Sequence, residues 1–175
     1  MKKQILIALI ISAIVIAITA YTILALEPST ATVPYYHDKT APEVSDFLLT
    51  LTNGAESTDL LFKDLIDVDD DTLKYVFGIE PTYLEAYSVK TSTTDASTFL
   101  VLRLKEGSKS IIEQSVIDYM AYLEEKWQDI DADQTTLVQN YSKIAMEDYL
   151  IYVVSENNEY IKEKINSFFI YTDAE

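Results

Sequence analysis

The residues with the clearest capacity for chemistry are the aspartates of Asp67-Val68-Asp69-Asp70-Asp71. Asp67, Asp69 and Asp71 stand at the first, third and fifth positions from which a calcium loop presents its oxygen ligands. The rest of that pattern is missing. The sixth position, where glycine makes the sharp turn, is Thr72, and the twelfth, where glutamate closes the shell, is Gly78. Asp129, Asp131 and Asp133 repeat the spacing, with Gln134 at the sixth position and Asn140 at the twelfth. Aspartates so placed also cap helices, whose free N–H groups and positive dipole end favour a carboxylate. Both runs read as caps, and Asp67, Asp69 and Asp71 remain only weak candidates for a metal.

Other reaction machinery lacks its parts. There is no cysteine, hence no disulfide, no thiolate zinc site and no lipid-modified cysteine. The single histidine, His37, lies in a proline-containing stretch and reads as a solvated linker residue rather than a base or ligand. No Gly-x-Ser-x-Gly, Walker loop or GxGxxG is present, and the 3 glycines all sit near element boundaries. The 29 acidic residues leave a carboxylate pair for glycan hydrolysis open, but no pair stands out. A non-enzymatic domain with no cofactor and no catalytic residue is therefore expected. The 13 tyrosines suit strands and core edges, and also binding surfaces, with the structural use preferred.

The elements that must position these residues begin with an apolar run. Residues 4–26, QILIALIISAIVIAITAYTILAL, contain no charge, proline or glycine. As a helix they would extend about 34 Å, against a hydrocarbon core of about 30 Å. Lys2 and Lys3 precede the run while Glu27, Asp38 and Glu43 follow it. That bias predicts a signal anchor over residues 1–26, with the N-terminus cytoplasmic and the remaining chain extracytoplasmic. The competing reading is a secretory signal cleaved after Ala31, which would release the domain; such apolar cores usually run about 7–15 residues. Residues 27–42 hold Pro28, Pro34 and Pro42 and read as an extended tether.

Beyond the anchor the chain keeps 11 basic against 29 acidic residues, a net of −18. Such a domain is repelled by nucleic acid and anionic headgroups alike, so no nucleic-acid partner is expected. Hydrophobic residues make up 49% of the chain, enough for a folded core with the acid on its surface.

Residues 43–171 read as one α+β domain, followed by a tail over 172–175. Val44, Phe47, Leu48 and Leu51 stripe a helix over 43–52, with Thr40 and Glu43 at capping-box spacing and Asn53-Gly54 as a stop. A short helix over 70–77 ends at Gly78. Two strands follow, 83–91 and 98–105. The second is apolar on both faces, Leu100, Leu102 and Leu104 against Phe99 and Val101, as in an interior strand. A long helix over 110–128 carries the stripe Ile112, Val116, Met120, Leu123 and Trp127, with Ser110 and Glu113 as a second capping box. Residues 133–141 add a short helix. Strands over 143–147 and 149–155 and a helix to Phe169, striped by Ile161, Ile165 and Phe168, complete the chain. The order helix–helix–strand–strand–helix–strand–strand–helix predicts an antiparallel sheet of about four strands with helices packed on one face.

From Leu60 onward this pattern resembles DUF4358, a family of uncharacterised envelope proteins of Gram-positive bacteria. The resemblance rests on Tyr75-Val76-Phe77-Gly78-Ile79-Glu80, the strand from Phe99 to Leu104, the long charged helix, and the strand from Tyr149 to Ser155 with its following helix. Three places depart from the family pattern: Ser97 or Thr98 stands for an acidic residue, Ile130-Asp131-Ala132 for a Tyr-Pro pair, and Glu147-Asp148 for a Gly-Asn turn. The resemblance implies a membrane-anchored envelope protein and brings no activity.

The functional expectation is a membrane-anchored extracytoplasmic interaction module of the cell envelope. It would be held by residues 4–26 and would bind another envelope protein or a wall component. A wall-acting hydrolase and a weakly calcium-responsive module are the alternatives.

Overall fold

The structure, a computed structural model of the chain, describes residues 39–53, 57–146 and 148–169. In chain order these form α1 (Ala41–Leu49), β1 (Leu65–Asp67), α2 (Asp70–Tyr75), a 3-10 turn (Pro81–Tyr83), β2 (Leu84–Ser92), β3 (Thr98–Leu104), α3 (Lys109–Gln128), α4 (Ala132–Gln139), β4 (Ser142–Met146), β5 (Tyr149–Val154) and α5 (Asn158–Phe169).

The doubly apolar strands set the centre. β3 and β5 pair antiparallel, with Leu100 opposite Tyr152 and Val101 opposite Ile151. β2 flanks β3, β4 flanks β5 and β1 extends the edge beside β2, giving five strands in the order β1-β2-β3-β5-β4, antiparallel throughout. Because successive side chains alternate between faces, each central strand needs cover on both sides. Leu100, Leu102, Leu150 and Val154 meet Ile112, Val116, Met120, Leu123 and Trp127 of α3, with Leu73, Phe77 and Val138 beside them. On the other face Phe99, Val101, Ile151 and Val153 meet Val44 and Leu48 of α1 and Ile161, Ile165 and Phe169 of α5. Burying one such aliphatic side chain stabilises the fold by about 1.5–3 kcal/mol.

Local chemistry fixes the helix ends. Thr40 caps α1, and its own N–H is taken by Glu43 at 2.7 Å, completing the capping box. Asp69 caps α2 through the Thr72 N–H at 2.8 Å. That helix closes at Gly78, whose φ of 67° is open to glycine, and the Ile79 N–H returns to the Leu73 carbonyl. α3 begins at Lys109, not Ser110. Its N-cap Ser108 gives its hydroxyl to the Lys105 carbonyl, so the expected Ser110–Glu113 box is not used. Glu113 instead pairs with Lys143 of β4 at 2.8 Å, and this contact holds its carboxyl below the usual range.

Several expectations are corrected. The sheet has five strands rather than four, because β1 is an edge strand of three residues without apolar alternation. The helices lie on both faces rather than one, since strands apolar on both sides must be covered twice. The membrane reading is also corrected: among the described residues no helix is long and apolar enough to cross a membrane. The longest, α3, is amphipathic and carries Glu113, Asp118, Glu124, Glu125 and Lys126. The apolar run over 4–26 and most of the tether, His37 included, lie outside the described residues. The transmembrane helix, the signal anchor, the membrane partnership through residues 4–26 and the single-pass topology with an extracytoplasmic domain are therefore withdrawn. The secreted and cell-envelope forms of that reading go with them.

Candidate functional site

The aspartates singled out by spacing are separated by their partners. The Asp67 carboxylate receives Lys90 across the β1–β2 pair. Asp69 is committed to capping α2, and its hydrogen bonds from the Thr72 hydroxyl and N–H lower its pKa. Asp70 accepts the Tyr87 hydroxyl, whose pKa is pushed up to about 12, first by burial and then by that bond. Asp71 is exposed in the first turn of α2. In the second run, Asp131 caps α4, accepting from the Asp133 N–H at 2.9 Å and the Gln134 N–H at 3.2 Å. Among the described residues no three acidic or histidine side chains come together as a metal site.

A wide concave space lies elsewhere, at the end of the sheet where β3 and β4 begin and β5 finishes. The C-terminal turn of α4 and the first turn of α5 stand on its two sides. There Thr136, Leu137, Asn140, Tyr141, Ser142, Ser155, Glu156, Asn157, Asn158, Glu159 and Tyr160 surround a space of about 570 Å³. A second space of about 230 Å³ shares Leu137, Ser155 and Glu156 and continues past the β2–β3 turn, where Asp95, Ser97 and Gln134 line it with Asn53, Asp59 and Lys63. The two spaces adjoin at these shared residues, giving a groove-like surface across the ends of three strands.

Its walls are held by hydrogen bonds. Asn140 ends α4 by donating its amide to the Thr136 carbonyl at 2.8 Å, and the Asn158 amide donates to the Asn140 carbonyl at 2.5 Å. The buried Asn158 Oδ1 has no partner among the described residues. Asn157 reaches across to the Asn53 side chain. The β2–β3 turn is drawn in by Ser92, whose hydroxyl accepts from the Thr94 and Asp95 N–H groups at 3.1 and 3.2 Å. Gln134 anchors the same turn by accepting the Ala96 N–H at 2.8 Å. The two tyrosines are held from opposite faces of the sheet: Tyr141 packs on the core under α3, Tyr160 on the core under α1 and α5. Lining charges are mostly acidic, Asp59, Asp95, Glu156 and Glu159 against Lys63, which pairs with Asp59 at 3.6 Å.

The matrix of elements around the groove has a known counterpart. The family described as a domain of unknown function, DUF4358, matches residues 58–155, more than half of the chain. The chain belongs to the DUF4358 family. The DUF4358 region takes in the whole sheet, α2, α3 and α4, and ends at Ser155; α1 and α5 lie beyond it. The groove thus straddles the border of the DUF4358 match, its α4 wall inside and Asn157, Asn158 and Tyr160 outside. No curated protein and no solved structure matches the chain.

Reading the sequence missed the groove, because its residues come from five separated segments and each looks like an ordinary cap or turn residue. The signals available were the Asn157-Asn158 pair and the string Asn140-Tyr141-Ser142, two polar turns bracketing a hairpin. The departures from the family pattern acquire local roles. Asp131 of Ile130-Asp131-Ala132 is the α4 cap, and Asp148 of Glu147-Asp148 binds Arg103 Nε at 2.7 Å.

Proposed function

We propose that this domain is a non-catalytic binding module whose ligand occupies the groove at the sheet end. The observation that carries the reading is the convergence of neutral polar groups, Asn140, Ser142, Ser155, Asn157 and Asn158, in about 570 Å³ flanked by Tyr141 and Tyr160. A space of that size, with a few placed polar groups on rigid elements, has the dimensions of a ligand site. Acyl or group transfer through a side chain needs a nucleophile beside a base. Among the described residues lining the groove, Ser142 and Ser155 have neither histidine nor cysteine beside them, so that pair is not assembled there. The Gram-positive source implied by the family resemblance belongs with this proposal, and the binding reading does not depend on it.

A fragment screen on the full-length protein tests it. Small neutral, cationic and anionic compounds are added to isotopically labelled protein and backbone amide shifts are followed. Hits should displace amides of residues 136–142 and 155–160. Hits that gather instead on the outer faces of α2 and α3, where Tyr75, Val76, Ile111 and Tyr122 are exposed, would move the binding surface away from the groove.

A further inference from the structure

We infer that the groove takes a neutral, polyhydroxylated ligand, a stretch of oligosaccharide laid between Tyr141 and Tyr160; this rests on the binding reading above. Charge argues first. Four carboxylates and one lysine line the two connected spaces, and the chain carries −16 overall, so phosphates, sulfates and acidic peptides are repelled. Glu159 already occupies the first turn of α5, where an anion would otherwise be drawn.

A metal ion is served no better: it would need acids focused on one point, and among the described residues no three acidic side chains come together. The groups that do come together are amides and hydroxyls. Each amide both donates and accepts, and so does each sugar hydroxyl, so the two are matched without charge. The tyrosines supply the apolar half of the match. A pyranose presents a face of C–H bonds that stacks on an aromatic ring, while its equatorial hydroxyls point sideways toward polar groups. Tyr141 and Tyr160 are each packed on a core and each line the groove, so little side-chain freedom is lost when a ring settles on them; on Tyr160 it takes the face that Lys164, 5.3 Å from the ring centroid, does not cover.

The direction of the groove separates sugar from peptide. An extended peptide draws its affinity from a row of backbone N–H and C=O groups along a strand edge. This groove crosses the places where β3 and β4 begin and β5 ends, so it offers strand ends rather than an edge. A chain of sugar rings needs no such ladder.

The test is a titration of full-length labelled protein with neutral oligosaccharides: β-1,4-linked glucose, α-1,4-linked glucose and β-1,4-linked N-acetylglucosamine. A lysine oligomer and an uncharged peptide serve as comparisons. At least one sugar should give saturable shifts confined to residues 136–142 and 155–160. Tyr160→Ala should weaken it by about tenfold or more, the effect of removing an aromatic anchor. Glu125→Gln, on the exposed side of α3 and outside the groove, should leave sugar affinity unchanged. If Tyr160→Ala does not fold, Asn157→Ala gives the same reading. Shifts at these residues from the lysine oligomer or the peptide, with none from any sugar, overturn the sugar inference and leave the groove as a binding site. Sugar shifts that saturate elsewhere on the surface overturn both.

Discussion

One face of the sheet rests chiefly on a twenty-residue helix, with Leu73 of α2 and Val138 of α4 beside it, and the other on two shorter helices that come from the two ends of the described chain. The first cover is continuous. α3 lays Ile112, Val116, Met120, Leu123 and Trp127 along the leucines of β3 and β5, and every one of these residues falls within the family match. The second cover is assembled. α1 and α5 meet over Val101, Ile151 and Val153, and stacking of Phe47 on Phe168 at 4.2 Å joins them. Neither helix falls in the matched region. A single helix stripe can cover most of a face by itself, whereas a cover drawn from both chain ends depends on capping and on contacts between its parts.

The comparison can be broken at either face, and the largest effect is expected under α3. Leu102 is fully buried there, and Leu102→Ala should cost about 2–5 kcal/mol in urea unfolding. A loss below about 1 kcal/mol would mean that this face is not packed as described.

The next test is at the assembled face. Thr40→Ala removes the α1 cap and should cost about 0.5–2 kcal/mol, with amide protection lost in α1 before α3. Equal loss in both helices would make the two faces one cooperative unit. Smaller still is the coupling between Phe47 and Phe168. A double-mutant cycle to leucine should return about 0.5–1.5 kcal/mol, and a coupling of zero would dissolve the link between the chain ends.

The remaining effect is alkaline. Tyr87 is raised to about 12 by burial and its bond to Asp70, against an ordinary value of 10.0. The unfolded chain therefore releases this proton first. The stability it lends is whole below pH 10.0 and is lost as pH climbs through about 12. Tyr87→Phe should flatten that part of the stability curve. An unchanged slope would show that the hydroxyl is not held by Asp70.

Much of this architecture is legible in the residues. The doubly apolar runs around Leu102 and Ile151 announce central strands, and the α3 stripe is buried at every position read from its spacing. The Thr40–Glu43 box and the Gly78 stop operate as their types require. What escapes is what depends on neighbours. β1 is largely exposed, and its three residues are held by the ladder to β2 rather than by any apolar pattern of their own. The α1 and α5 stripes look alike whichever face they cover, because a helix period specifies one apolar side and not which layer it joins. The groove is harder again: Asn140, Asn157 and Asn158 each satisfy a local rule for caps and turns, and only the pairing of β3 with β5 brings them beside the Asp95 turn.

That pairing also sets the order in which the molecule can assemble. The β2–β3 ladder closes over residues 93–97 and the β4–β5 ladder over the short stretch between Met146 and Tyr149, and each hairpin can form from local sequence. Joining β3 to β5 brings Arg103 opposite Tyr149 across α3 and α4, a closure costing about 2 kcal/mol more than a five-residue turn. Two half-sheets should therefore exist before one whole sheet does, each showing a strand that is apolar on both faces and unpaired along one edge. During that interval TFLVLRL and YLIYVV are open to the wrong partner, including the same strand of another chain. The bond from Arg103 to Asp148 sits at the mouth of this seam and sets its register with a charge pair that a second copy in a shifted alignment would not match.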